Sequence, residues 1–265
     1  MLRILKYVIR DILNNKIVIA YALLLAVLSW SMFSLEDSSS KGVLSLLNII
    51  LLNVPLVSVI FSTIYIYNSG EFIELLLSQP IKRSKIWSSF YLGLCISLIV
   101  AFLIGAGIPI LVYSPDSTGL MMIVVGVLIT AIFVSLAFFS AVFTRDKAKG
   151  IGFAIMLWLF FALLFDGLVL FLLFQFADYP IEKAMVGITA LSPIDLSRIM
   201  VLLHLDVSAM LGYTGAIFKD FFGTLTGMIV TFSLLGLWVL LPFWFSLWRF
   251  KKMDLLFITF DWLQS

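Results

Sequence analysis

Two residue types that often carry chemistry are almost missing. There is one cysteine, Cys95, and one histidine, His204. A single cysteine excludes an intrachain disulfide, and a lone Cys far from a lone His has no recognisable zinc-site spacing. Charge is also scarce. Lys, Arg, Asp and Glu make up 12% of the chain, against roughly 25% in a soluble domain. No G-x-x-x-x-G-K-[ST], H-E-x-x-H or G-x-S-x-G stretch occurs, so the chain brings no nucleotide-hydrolysing or metalloprotease signature of its own. No internal or inverted repeat is visible, which argues against several secondary-transporter folds.

Hydrocarbon fills the chain instead. Hydrophobic residues are 63% of 265, and the mean hydropathy is +1.17. A water-soluble fold of this size cannot hide so much apolar surface, so the sequence predicts an all-α integral membrane protein with six transmembrane helices. The spans fall at about 17–35, 43–67, 90–113, 120–143, 150–174 and 222–248, within one transmembrane domain, 1–252, with a tail at 253–265. Before the first span, Arg3, Lys6, Arg10 and Lys16 alternate with Leu5, Val8, Ile9, Ile12 and Leu13. That spacing predicts a basic amphipathic helix lying in the interface. The run from Ile17 is too long for a signal-peptide core, and it reads as a retained span. Pro55 is expected to kink the second span. Residues 114–119 read as a tight turn, and residues 144–149 as a short charged loop.

The basic residues give an orientation. Thirteen of the seventeen Lys and Arg lie at the N-terminus, between spans two and three, between spans four and five, or at the end of span six. The remaining four are Lys41, Lys183, Arg198 and Lys219. The positive-inside rule then puts both termini in the cytosol and the long 175–221 segment outside.

Three places stand out as candidates for function. The first is the polar break EFIELLLSQPIKRSKIW, residues 71–87. Glu71, Glu74 and Ser78 share one helical face, with Phe72, Ile73, Leu75 and Leu76 expected to turn elsewhere. Pro80 ends the helix, and Lys82, Arg83 and Lys85 come next. A short helix of this kind between two spans predicts a cytosolic elbow at the membrane surface, touching either a soluble partner or lipid headgroups. The second is Asp166, well inside the fifth span, where a carboxylate costs a few kcal/mol and must face a cavity, a partner helix or water. No Lys or Arg of another span is available to pair with it. The third is LSPIDLSRIM, residues 191–200. Ser192 is placed to cap a helix, Pro193 to begin it, and Asp195 to close a capping box. Arg198 is within ion-pair reach of Asp195. The expected result is an interfacial helix, or a docking surface made by Ser192, Asp195 and Arg198. Ten methionines are scattered, and they read as apolar filler rather than copper ligands. His204 with Asp206 is equally weak as a metal site. Gly223-x-x-x-Gly227 is a packing motif.

The elbow EFIELLLSQPIKRSKI, residues 71–86, resembles the segment E-x-x-x-x-L-L-x-x-P-[ILV]-x-R-x-x-[IL] of ABC-2 type transporter membrane subunits. Two further stretches, DKAKGIGFAIMLWLFFALLFD at 146–166 and LSPIDLSRI at 191–199, resemble the NosY branch, permeases of NosDFY systems that support copper-site maturation in nitrous oxide reductase. The resemblance implies a homodimeric permease of a bacterial inner membrane, in contact with lipid and with no nucleic acid. Two copies of a separate ATPase would hold the ATP and Mg, leaving no cofactor, metal or catalytic residue on this chain. It implies that Glu71, Glu74, Leu75, Leu76, Pro80 and Arg83 meet that ATPase in a coupling helix, that Asp166 sits near a central seam, and that Ser192, Asp195 and Arg198 face a NosD-like partner. The alternatives are a generic ABC-2 exporter, a stand-alone secondary transporter or channel, and an anchor for an extracytoplasmic protein.

Overall fold

A computed structural model describes residues 2–36, 38–144, 146–176, 187–205 and 225–252. The described residues are helical, with no strand among them. Within them nine helices run in order: α1 (Leu2–Leu13), α2 (Lys16–Leu35), α3 (Ser39–Asn68), α4 (Gly70–Leu77), α5 (Arg83–Tyr113), α6 (Ser117–Ala141), α7 (Lys147–Leu172), α8 (Pro193–His204) and α9 (Leu225–Lys252). Among the described residues six of these, all but α1, α4 and α8, are long and apolar enough to cross a membrane. The chain is thus a multi-pass integral membrane protein. Lys183, Met185, Asp206, Met210, Lys219, Gly223 and the 253–265 tail lie outside the described residues.

The helix starts are set by capping, which the hydropathy pattern does not reveal. Asn15 accepts from the Ile17 N–H at 2.9 Å, Asp116 from Gly119 at 3.2 Å and Asp146 from Lys149 at 3.0 Å. Each satisfies a backbone donor left open at a helix start. The 114–119 turn and the 144–149 loop are therefore shorter than expected, because α6 begins at Ser117 and α7 at Lys147. The third span also begins early, at Arg83 rather than about 90, since the α-helix runs unbroken from Arg83 to Phe102.

α6 is the centre of the bundle, with α3, α5, α8 and α9 packed around it. About 67% of its spanning stretch is buried, against 17% for α7 and for α9. The large apolar side chains on these two outer helices, such as Leu163, Phe171, Leu240 and Trp244, face away from the protein. That surface suits hydrocarbon. α1 does not lie free in the interface. Val8 and Ile12 are fully buried, and α1 docks along α5, where Gly93 meets Val8 so closely that a side chain there would clash. Its charges Arg3, Lys6 and Arg10 stay on the outer side, while Asp11 accepts a 2.9 Å hydrogen bond from Tyr65 of α3.

One end of the bundle collects the elbow, the start of α5, the α6–α7 joint and the end of α9. Lys147 Nζ donates to Asn68 at 2.7 Å, Tyr67 donates to the Thr144 carbonyl at 2.8 Å, and Arg249 Nε donates to the Val142 carbonyl at 3.1 Å. Just inside this end, Trp87 stacks on Phe250 (4.1 Å between centroids) and Tyr91 on Phe243 (3.9 Å). Trp87 Nε1 donates to Ser246, and Ser246 donates to the Phe138 carbonyl, both at 2.9 Å. Three helices are thus joined by aromatic contacts worth about 0.5–1.5 kcal/mol each beyond their area.

Candidate functional site

Two places in the fold combine unusual residues with unusual exposure. At the first end, α4 leaves α3 at Ser69 and lies against the bundle through Ile73 and Leu76, both buried. Phe72 packs beside Tyr7 of α1 (5.2 Å) and Phe90 of α5 (6.0 Å). The outer face is Glu71, Leu75 and Ser78, continued by Gln79, Pro80 and Lys82, all exposed. Glu74 is half-buried at its margin.

Two expectations are corrected here. Leu75 was expected away from Glu71 and Ser78, yet it stands between them and is 60% exposed. The physical reason is simple: at about 100° per residue, position 75 lies only about 40° from position 71. Leu76 is the reverse case, holding the elbow to the bundle instead of facing a partner. Arg83 is half-buried, and its guanidinium donates to the Lys251 carbonyl at 3.4 Å, tying the start of α5 to the end of α9.

The second place lies toward the opposite end. α7 is interrupted by a π-helical turn, Phe160–Leu164, immediately before Phe165 and Asp166. Such a turn inserts an extra residue into the helical repeat and rotates the remainder of the helix, and it is frequent at functional sites. Asp166 thereby meets Arg198 of α8, whose Nη1 donates to Asp166 Oδ2 at 3.0 Å. The same nitrogen donates to Asp195 Oδ1 at 3.3 Å. The sequence reading looked for a basic partner on the other spans and offered none. Its partner comes from the segment between spans five and six, not from another span.

α8 is also not a helix lying on a surface. It packs on α6, α3, α9 and the π-helical turn, with Ile194, Leu196 and Val201 buried. Ser192 caps it, accepting from the Asp195 N–H at 3.2 Å. The capping box stays half-formed: the Ser192 N–H donates to the Thr189 carbonyl at 3.1 Å, and the Asp195 carboxylate turns to Arg198 instead. Ser192 and Asp195 are buried and Arg198 half-buried, so little of this trio lies on the surface of the chain. Burial, and after it the hydrogen bond and charge of Asp166, pushes the Asp195 carboxyl up to about 7, against the opposing pull of Ser192 and Arg198.

No group of three or more His, Cys, Asp or Glu that would hold a metal ion is found among the described residues. Cys95 is buried. Both places were visible as separate motifs in the sequence, but the joining of Asp166 to Arg198 across 32 residues was not. The signal available was a carboxylate inside a span with Arg198 as the one arginine in the segment that follows it.

Comparison with known proteins bears on both places. The pattern described as ABC-2 family transporter protein matches residues 69–255, from the elbow through the end of α9. The chain is also similar to a protein of Pseudomonas aeruginosa named "Probable ABC transporter permease protein NosY", at 27% identity over 220 residues, covering 75% of this chain and 80% of that protein.

Proposed function

This chain belongs to the ABC-2 family of transporter proteins, and on that premise we propose that it is a NosY-type permease passing the work of an ATPase to the far side of the membrane. Members of the family carry no ATPase activity themselves and pair with ATPase subunits. The observation that carries the reading is the outer face of the elbow. An exposed leucine flanked by Glu71 and Ser78, on a short helix anchored from behind by Ile73 and Leu76, is an apolar anchor with a polar rim. A short helix that presents an apolar residue in this way suits a groove on a partner protein.

The route from the elbow is physical. α4 is continuous with α3 through Ser69, and Asn68 at that joint is held by Lys147, the first residue of α7. Tyr67 packs on Gly150 of the same helix, too closely for any side chain there. A stroke on α4 therefore moves the start of α7, and α7 carries Asp166. In the working complex two copies of the permease face two ATPases from the cytosolic side of a bacterial inner membrane. Their tilting opens a path or reshapes the segment around α8 for a NosD-like partner, in support of copper-enzyme maturation. The similarity to the NosY relative and the Asp166–Arg198 pairing support this narrower branch. A generic exporter with the same elbow is the alternative.

The test is ATP hydrolysis in the reconstituted permease–ATPase complex. Leu75→Asp, and Glu71→Lys with Glu74→Lys, are expected to lower permease-stimulated hydrolysis by about tenfold or more, as loss of an interface anchor does. An unchanged stimulated rate in both variants overturns the elbow role.

A further inference from the structure

We propose that the Asp166–Arg198–Asp195 cluster is a proton-binding site, in which one proton taken from water resides on the Asp195 carboxyl beside Asp166. Two carboxylates share a single guanidinium, and both take the same nitrogen, Nη1. With both ionised, the cluster keeps one uncompensated negative charge. The geometry does nothing else to offset it. Arg198 makes no two-pronged contact with either carboxylate, and its Nε is buried with no partner. Asp195 is only 9% exposed, and its Oδ2 is also buried with no hydrogen-bond partner. A buried, unpaired carboxylate oxygen beside a second carboxylate is a place where a proton binds. The proton removes the surplus charge and turns an acceptor into a donor. The side chains of Arg198 and Asp166 are about a third exposed (32% and 35%), so the cluster is not sealed.

Among the described residues, the surrounding elements supply no other charge to do this. α6 has no ionisable residue along Ser117–Ala141. α3 has Lys41 near its start and Tyr65 and Tyr67 at the elbow end, where both are hydrogen-bonded. α9 has Arg249, Lys251 and Lys252 in its last turn, and α7 has, besides Asp166, Lys147 and Lys149 in its first. On α8 the ionisable residues are Asp195, Arg198 and His204. The elevated titration of Asp195 agrees with this. A metal cation fits less well, because the guanidinium nitrogen already stands between the two carboxylates and two oxygens alone coordinate a metal poorly.

The experiment is a titration of the full chain in detergent or lipid, without the ATPase, so it stands or falls separately from the elbow reading. Infrared difference spectra are recorded from about pH 5 to about pH 9. The expected result is one protonated-carboxyl band lost with a midpoint near 7, the value of Asp195. The band should be absent in Asp195→Asn. In Asp166→Asn its midpoint should drop by about one unit or more, since a neighbouring negative charge is gone. Three outcomes overturn the proposal: no protonated carboxyl in the unmodified chain, persistence of the band in Asp195→Asn, or displacement of the band by sodium at fixed pH, which marks a metal-cation site instead. The unmodified chain decides the first and third, so a variant that fails to fold leaves the test intact.

Discussion

The two ends of the bundle solve the same problem in opposite ways. Each must hold polar groups at or near a membrane. At the elbow end, Trp87, Ser246, Tyr67, Lys147 and Arg249 form hydrogen bonds to groups on other helices or on the α6–α7 joint, and aromatic rings stack between helices. At the other end, two carboxyl groups meet one guanidinium nitrogen, and two atoms of the cluster have no partner. Fully satisfied polar networks rigidify, while partly satisfied ones are sensitive to anything that changes their charge. A part that receives force needs the first property. A part that changes state needs the second.

The largest break in this comparison comes from Arg198→Met. It leaves Asp166 and Asp195 facing each other with no cation. Removing one partner of a buried ion pair costs about 3–5 kcal/mol, and the partial exposure of this pair places the expected loss near about 3 kcal/mol. Thermal melting of the detergent-solubilised chain checks this. A variant as stable as the parent means the guanidinium does not hold α8 to α7.

At the elbow end the corresponding test is Gly150→Ala. The added methyl group meets the hydroxyl and ring of Tyr67, so Tyr67 must shift and weaken its bond to Thr144. Overpacking of this kind costs about 1–3 kcal/mol. The informative readout pairs melting with ATPase stimulation in the complex. Loss of coupling larger than the loss of stability is expected, because the α3–α7 joint lies on the proposed route. Equal losses place Gly150 in packing alone.

Much of this architecture was legible in the sequence, and the exceptions are instructive. Six apolar runs gave six membrane-length helices because hydropathy over about 20 residues leaves few alternatives in a bilayer. Boundaries failed where capping set them. Asp116 and Asp146 each read as loop residues but act as the first acceptor of a helix. Leu75 was misplaced by grouping residues as polar or apolar before taking their angles. The Asp166–Arg198 pair escaped because it depends on how α8 folds back between α6 and α9, which no local pattern reports. The π-helical turn before Asp166 escaped for the same reason: Phe160–Leu164 has the composition of any other stretch of a span.

The smallest effect should come from Asp195→Asn measured near about pH 4, and its smallness is informative. If Asp195 were an ionised partner of Arg198, replacing it would remove a charge-assisted bond and cost about 1.5–3 kcal/mol. If it already carries a proton, an amide of the same shape keeps the packing of α8, so the change near about pH 4 stays under about 1 kcal/mol, and the variant gains on the parent as pH rises. The pH dependence separates the two. The carboxyl titrates near 7 in the folded chain, against about 3.9 when unfolded. The folded chain therefore binds the extra proton between those values, so stability is greatest at the acid end and declines as pH rises through about 7. Melting temperatures measured across that window should fall with rising pH for the parent chain, and Asp195→Asn should lose this slope. A parent chain whose stability instead rises through the window has Asp195 ionised, and the far end of the bundle is then held as firmly by its charges as the elbow end is by its aromatic stacks.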